Sequence, residues 1–489
     1  MLFNSYIFIF LFLPLVLFGY YGLNYLKQYK LALAFLTGMS MWFCGYMNPS
    51  YLLILLISIL INYILIEAMS RAKGELGRKS LFQAGLVWNI GALLYFKYFN
   101  FFLENVNAVF KTDIALLELI LPLGISFYTF QQLSYVIDYY KGDCEKYGLL
   151  EYTAYVTFFP KLIQGPITYH HELIPQFRKI ENKRLNYDNL AKGIYAFALG
   201  LAKKVLLADT LSKVVTIGYD NINALNIPST LLVMICYSLQ IYFDFSGYCD
   251  MASGVGYFFN IELPVNFNSP YKAQSIIDFW SRWHMTLTRF FTKYVYIPLG
   301  GNRKGAARTY LNVMFVFLVS GFWHGANWSF LLWGAMHGAL NIIERWKPVK
   351  TALAKLSKGI RVAGTFVFAT FAWSLFRADS VAQAKQLWSR LVTADWGVIY
   401  EPIAEVFNDM TEIKLLYRMG LGGVITSYPG MLLLLFVVVL LLACFFMKNT
   451  QEKVKEMRFT NGRILVIVVL IIWSILSLTG VSEFLYVNF

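Results

Sequence analysis

Val319-Ser320-Gly321-Phe322-Trp323-His324-Gly325-Ala326-Asn327-Trp328 lies inside an apolar run, Tyr310 to Leu332, that contains no charged residue. A run of that length and character suits a helix crossing a bilayer. A histidine in hydrocarbon is costly to bury without a partner, so His324 is a functional candidate by default. Gly321 and Gly325 flank it at i−3 and i+1 and leave room beside the ring for a substrate or another backbone. The competing reading is a core histidine bonded to a neighbouring helix.

The rest of the chain agrees with a membrane setting. Of 489 residues, 58% are hydrophobic and only 14% charged, with a mean hydropathy of +0.54, whereas soluble domains carry about 25% charge. Runs such as Tyr6–Gly22, Tyr51–Ile66, Met431–Met447 and Ile464–Leu478 reach or approach bilayer length. The fold class is therefore an all-α polytopic membrane protein. About eleven or twelve transmembrane helices are expected in one domain, residues 1–489, with a C-terminal span pair at 430–489. The run Leu2–Gly22 has no preceding basic residue and no small-residue cleavage site, so it reads as a first span. Five scattered cysteines argue against a disulfide framework.

The net charge of +14 is a topology signal and not a nucleic-acid footprint, because the basic residues sit in short loops between spans. Arg345–Arg361 carries six Lys/Arg and no acid, Lys448–Arg463 five against two Glu, and Gly300–Arg308 three; the segment 379–428 holds six acids and four bases. The positive-inside rule assigns the first three to the cytoplasm and the last to the exterior. Ser380-Val381-Ala382-Gln383 reads there as a capping box opening a short external helix.

Leu121–Tyr128 and Tyr152–Ile167 are apolar but interrupted by Pro and Gly. Broken helices survive in a membrane only when buried in protein or lining a cavity, so re-entrant or kinked pieces around a central passage are expected. The span Leu231–Asp250 ends with Asp244 and Asp250, read as helix-end carboxylates, with proton carriers or acceptor-binding groups as the alternative. A helix over about Ser275–Tyr294 holds Asp278, Arg282, His284, Arg289 and Lys293 among aromatic residues; it is too charged to face lipid. Arg282, Arg289 and Lys293 suit a phosphate-bearing ligand, with interfacial anchoring as the alternative.

Three of the five histidines, His284, His324 and His337, fall within 54 residues. His170 and His171 are adjacent, diverge on a helix, and have nothing near them in sequence to add ligands. No H-E-x-x-H, cysteine pair, G-x-S-x-G or P-loop is present, so no metal is expected. What remains is a buried base able to take a proton from a hydroxyl. Counted from Arg308, His324 is sixteen residues on, roughly 24 Å at 1.5 Å per residue, which puts it in the outer half of a core about 30 Å thick.

Taken together, Asp278-Phe279-Trp280-Ser281-Arg282-Trp283-His284-Met285-Thr286, Tyr296-Ile297-Pro298-Leu299-Gly300-Gly301-Asn302-Arg303, Gly321-Phe322-Trp323-His324-Gly325 and Trp333-Gly334 through His337-Gly338 resemble the membrane-bound O-acyltransferase (MBOAT) superfamily. Its core motifs here cover about residues 120–345, with flanking support from Phe243–Tyr248 and Phe376–Ser380. Within the superfamily the chain is most similar to bacterial alginate O-acetyltransferases of the AlgI type. The resemblance implies a multi-pass protein of the bacterial inner membrane that moves an acyl group from a thioester to a hydroxyl, with His324 catalytic and His284 its companion. For this branch it implies acetyl-CoA as the cytoplasmic donor, an exported polysaccharide as final acceptor, and an SGNH-type extracytoplasmic partner. Arg282, Arg289 and Lys293 would then meet donor phosphates. D-alanyl transfer to teichoic acid by the same chemistry, and a polysaccharide or lipid transporter, stay open. The transporter reading predicts inverted repeats, and no matching pair of interruptions is found.

Overall fold

The computed structural model describes residues 1–408, 410–421, 430–458, 460–478 and 484–485. Within them every regular element is a helix. Residues 409 and 422–428 of the external segment, and Thr479 at the end of the last expected span, lie outside the described residues.

Local chemistry sets the helix boundaries. α1 (Phe8–Tyr25) and α2 (Tyr29–Gly45) form a hairpin, and Asn48 then opens α3 (Pro49–Arg71) by accepting the Ser50 N–H at 2.8 Å, with Pro49 at the first position. α4 (Glu75–Phe110) is a single long helix carrying a π-turn at Leu94–Tyr98. α5 (Ile125–Lys141) begins at Gly124, whose φ of +72° and close approach to the Leu162 carbonyl exclude a side chain.

The interrupted stretches are buried inside the protein. α6 (Leu149–Thr157), the single turn Phe159–Leu162 and α7 (His170–Arg178) make a hairpin whose two ends meet again. Arg178 pairs with Glu151 at 2.7 Å and Glu145 at 2.5 Å, and the Tyr147 hydroxyl meets His170 Nδ1 at 3.1 Å. At its far end the Phe159 N–H reaches Ser40 Oγ of α2 at 3.3 Å.

The centre is a pair of helices crossing through glycine. α8 (Tyr187–Ala202) continues through a π-turn, Lys203–Ala208, into α9 (Asp209–Asp220). α8 packs on α10 (Ile227–Phe258), which is opened by Asn226 accepting the Ser229 N–H at 3.0 Å. A Cβ on Gly200 would stand 2.6 Å from the Gly247 carbonyl, and one on Gly254 2.7 Å from that of Gly193. Small residues at both contacts let the backbones touch, as packing in lipid favours. α10 runs past Asp250 to Phe258, so Asp244 and Asp250 are not at a helix end, as the sequence suggested. They are buried and paired, Asp244 with Lys204 at 2.8 Å and Asp250 with Lys203 at 2.6 Å.

The expected helix over Ser275–Tyr294 is broken. α11 (Ile276–Trp280) and α12 (Met285–Phe291) are separated by Ser281–His284, and His284 itself has φ +45°. The cause is the incoming chain at 266–268, which takes backbone bonds that a continuous helix would use: Met285 N–H to Asn266 O at 3.0 Å and Asn268 N–H to Arg282 O at 2.9 Å.

α13 (Gly305–His324), α14 (Trp328–Arg345) and α15 (Lys358–Arg377) follow. Ser380 caps α16 (Val381–Thr393), accepting the Gln383 N–H at 3.2 Å, while Gln383 reaches back to the Asp379 N–H at 2.8 Å. α17 (Met431–Phe446) and α18 (Asn461–Leu476) close the described chain. Among the described residues six helices are long and apolar enough to cross a membrane: α1, α3, α4, α10, α13 and α15; α17 and α18 are shorter and apolar. The other apolar stretches of the sequence lie in helices that are shorter or less apolar. All five cysteines are free.

Candidate active site

α13 stops at His324 because Gly325 is extended and Asn327 starts α14, its side chain accepting the Ser329 N–H at 2.9 Å. The histidine therefore sits at the end of a spanning helix, beside a turn. Its ring is buried among aromatic edges: Trp323 at 4.8 Å, Trp333 at 5.1 Å and Phe376 at 5.1 Å between centroids.

His284 packs against the same indole. Its ring lies 6.2 Å from Trp323 and 4.8 Å from Phe245, fully buried. A left-handed backbone at a non-glycine residue costs of order 1–3 kcal/mol and persists only where its surroundings over-determine it. Asn266 does so here. Its Oδ1 accepts the Thr286 N–H at 3.2 Å and the Thr286 hydroxyl at 2.9 Å, and its Nδ2 faces Cys249 Sγ at 3.3 Å. The backbone donor fixes which way the amide points. His284 Nδ1, 3.2 Å from the same oxygen, must then carry a proton. In neutral His284 the accepting nitrogen is Nε2.

His337 has the opposite tautomer. Trp280 Nε1 donates to its Nδ1 at 3.2 Å, leaving the proton on Nε2. The His337 ring packs on Phe368 at 5.2 Å and on Trp333 at 4.8 Å, the indole that also meets His324.

An open cavity of ≈ 550 Å³ flanks α12, lined by Trp280, Met285, Thr286, Thr288, Arg289 and Lys293 among others. It adjoins the start of the basic Gly300–Arg308 loop through Ile297. Arg289 and Lys293 thus face a common space, whereas Arg282 does not line it. Arg282 is held by Asp278 at 2.7 Å, the i,i+4 pair visible in sequence, and by Asn268 O at 3.3 Å. The two cavity cations also have carboxylate partners. Arg289 bonds Glu172 and lies 4.2 Å from the Tyr169 ring, and Lys293 reaches Asp138 at 2.8 Å.

Asp138 corrects the reading that nothing near His170 and His171 adds a ligand. It meets His170 Nε2 at 3.2 Å and Tyr294 Oη at 2.9 Å, and its oxygen and nitrogens of both histidines lie within 4.8 Å of one another. The partner was invisible in sequence because it lies one hairpin away, on α5. Lys293 already supplies a positive charge to this carboxylate. Burial acts to raise the proton affinity of Asp138, but the bonds from His170, Lys293 and Tyr294 outweigh it and hold the carboxyl below its usual range. Burial and the neighbouring His170 push His171 below the ordinary imidazole value.

Two residues in contact with these histidines or their backbone carried no motif in the sequence. Asn266 is one; Lys97, on the π-turn of α4, is the other, with its ammonium 2.6 Å from the Trp323 carbonyl.

Residues 143–378 match the model of the membrane-bound O-acyltransferase family. The chain is 40% identical over 420 residues to a peptidoglycan O-acetyltransferase of Helicobacter pylori, covering 80% of each chain. It is 36% identical over 401 residues to a probable alginate O-acetylase AlgI of Pseudomonas aeruginosa, covering 80% of this chain and 75% of the relative. A teichoic acid D-alanyltransferase of Bacillus subtilis is 28% identical over 275 residues, covering 53% of this chain and 69% of the relative.

Proposed function

The chain belongs to the membrane-bound O-acyltransferase family and is a multi-pass acyltransferase of the bacterial inner membrane, and from that premise we propose that it moves acetyl from a cytoplasmic thioester donor to a hydroxyl presented from outside. The observation that supports this reading is the contact of both His324 and His284 with Trp323, with a cation-lined cavity beside the second histidine. The donor is acetyl-CoA. Its phosphates draw on Arg289 and Lys293, which line the cavity, and its thioester extends inward past Thr286 and Thr288. Arg282, tied to Asp278, contributes less.

Chemically, the acceptor oxygen bonds to the thioester carbonyl carbon, the carbon–sulfur bond breaks, and the hydroxyl proton ends on the leaving thiolate. His324 takes that proton as general base, a role typically worth about 10²–10⁴ in rate. His284 presents a lone pair on Nε2 and so receives or passes on a proton; in its neutral form it cannot donate to the carbonyl oxygen. The acceptor is an SGNH-type extracytoplasmic protein that hands acetyl to an exported polysaccharide. A polymer as final acceptor is supported by two relatives whose names specify O-acetylation of peptidoglycan and alginate.

The test uses the purified protein in sealed vesicles with labelled acetyl-CoA or a D-alanylated carrier protein added on the side bearing the basic loops. Labelled acetyl leaving CoA for an acceptor on the opposite side is the expected result. Turnover only with the D-alanylated carrier would move the protein to the teichoic acid reading. Passage of intact acceptor without acyl transfer would favour a transporter.

A further inference from the structure

The last turn of any helix leaves its final carbonyls without helical partners. In α13 that turn is Gly321–His324, and no left-handed glycine closes it, since Gly325 is extended. The partners come from α4, more than two hundred residues earlier. Lys97 Nζ donates to Trp323 O at 2.6 Å and to His324 O at 3.0 Å, and Tyr98 Oη donates to Trp323 O at 3.1 Å. The grip extends to both sides. The Tyr98 ring stacks on Phe322 at 4.1 Å, the Lys97 ammonium stands 5.6 Å from the Trp323 ring, and Asn105 accepts the Trp328 indole N–H at 3.0 Å across the turn.

Consecutive residues of a regular α-helix point about 100° apart, so Lys97 and Tyr98 would not ordinarily reach one carbonyl together. They lie in the π-turn Leu94–Tyr98 of α4, a local widening found mostly at functional sites. A lysine in the middle of an apolar spanning helix is expensive. Among the ion pairs of the described residues, none includes Lys97. Its ammonium is spent on the backbone of the helix end that carries His324, where a cation also complements the negative end of the helix dipole.

We propose that Lys97 and Tyr98 are positioning residues for acyl transfer, holding the end of α13 so that the His324 ring keeps its reactive placement. The inference rests on His324 as the base. It goes beyond that assignment by making the rate depend on a cation that touches neither donor nor acceptor. Displacing a reacting group by 1 Å can lower a rate about 10²-fold. Lys97→Met therefore lowers kcat about 10–10²-fold per folded molecule, with the donor KM unchanged. Lys97→Arg, whose guanidinium can still span two carbonyls, restores most of it, and Tyr98→Phe, which loses one of three bonds, costs only a few-fold.

The experiment measures kcat and donor KM for these three variants of the full chain, with His324→Ala as reference and thermal midpoints to count folded protein. A Lys97→Met enzyme with wild-type kcat, or a loss explained entirely by the folded fraction, overturns the proposal. If Lys97→Met does not insert, equal kcat for Lys97→Arg, Tyr98→Phe and wild type overturns it as well. An active His324→Ala would instead remove the reading of His324 on which the inference stands. An inactive His324→Ala beside a fully active Lys97→Met would refute the inference alone.

Discussion

Replacing Asn266 by leucine removes one oxygen that three groups share: the Thr286 N–H, the Thr286 hydroxyl and His284 Nδ1. The shapes are similar, so packing changes little, but a buried backbone N–H and a ring N–H lose their acceptor. Each orphaned group costs about 1–3 kcal/mol, and part of that returns as the ring re-orients or the proton moves to Nε2. Either response removes the lone pair that faces the reaction. Loss of an orienting partner typically lowers activity about 10–100-fold at metal-bound histidines, and the same range is expected for kcat here. Asn266→Asp keeps an acceptor oxygen toward Nδ1–H and should retain far more activity than the leucine variant. The assay is acetyl transfer from labelled acetyl-CoA in vesicles, with folded protein counted by thermal unfolding. Equal kcat for Asn266→Leu and wild type would show that the tautomer of His284 does not matter, and the role drawn from it would fall.

Other outcomes follow from the same geometry. Lys204→Met leaves Asp244 without its 2.8 Å partner inside the bundle and should destabilise the protein by about 3–5 kcal/mol, with Lys204→Met/Asp244→Leu recovering most of it; a single variant as stable as wild type in detergent melts would contradict this. Gly247→Val forces a branched side chain against the Gly200 carbonyl, already 2.9 Å from a bare Cβ, and should abolish stable insertion, read as loss of the monodisperse species. Cysteine placed at 355 on a cysteine-free background should resist impermeant reagent added outside intact cells, because its loop carries six basic residues and no acid. Labelling from outside would invert the orientation.

Much of this site was legible because lipid makes polar residues conspicuous. His324 stood out as a histidine in an uncharged run, and Arg289 and Lys293 as cations on a segment too polar for lipid. The Ser380 cap is local chemistry and is present, but Gln383 reaches the Asp379 N–H and not the Ser380 N–H that a full capping box requires. What sequence hides is long-range pairing. Asp244 and Asp250 looked like helix-end groups because their lysines, 203 and 204, lie on another helix, although two adjacent lysines in an apolar run were a signal that buried carboxylates were needed. Lys97 sat in plain view inside the run from Ser80 to Phe102, and the same reasoning would have singled it out. The break at His284 left no local trace, since apolar spacing over Ser275–Tyr294 suits a helix. The competing bonds come from Asn266 and Asn268 in the preceding loop.

The central claim is that His324 accepts the acceptor's proton during acyl transfer, and it meets its most direct test in His324→Ala. In vesicles holding folded, correctly oriented protein, the variant should bind acetyl-CoA with near wild-type affinity and transfer acetyl at a rate lowered by at least about 10². Transfer at near wild-type rate by the same folded variant would contradict the account.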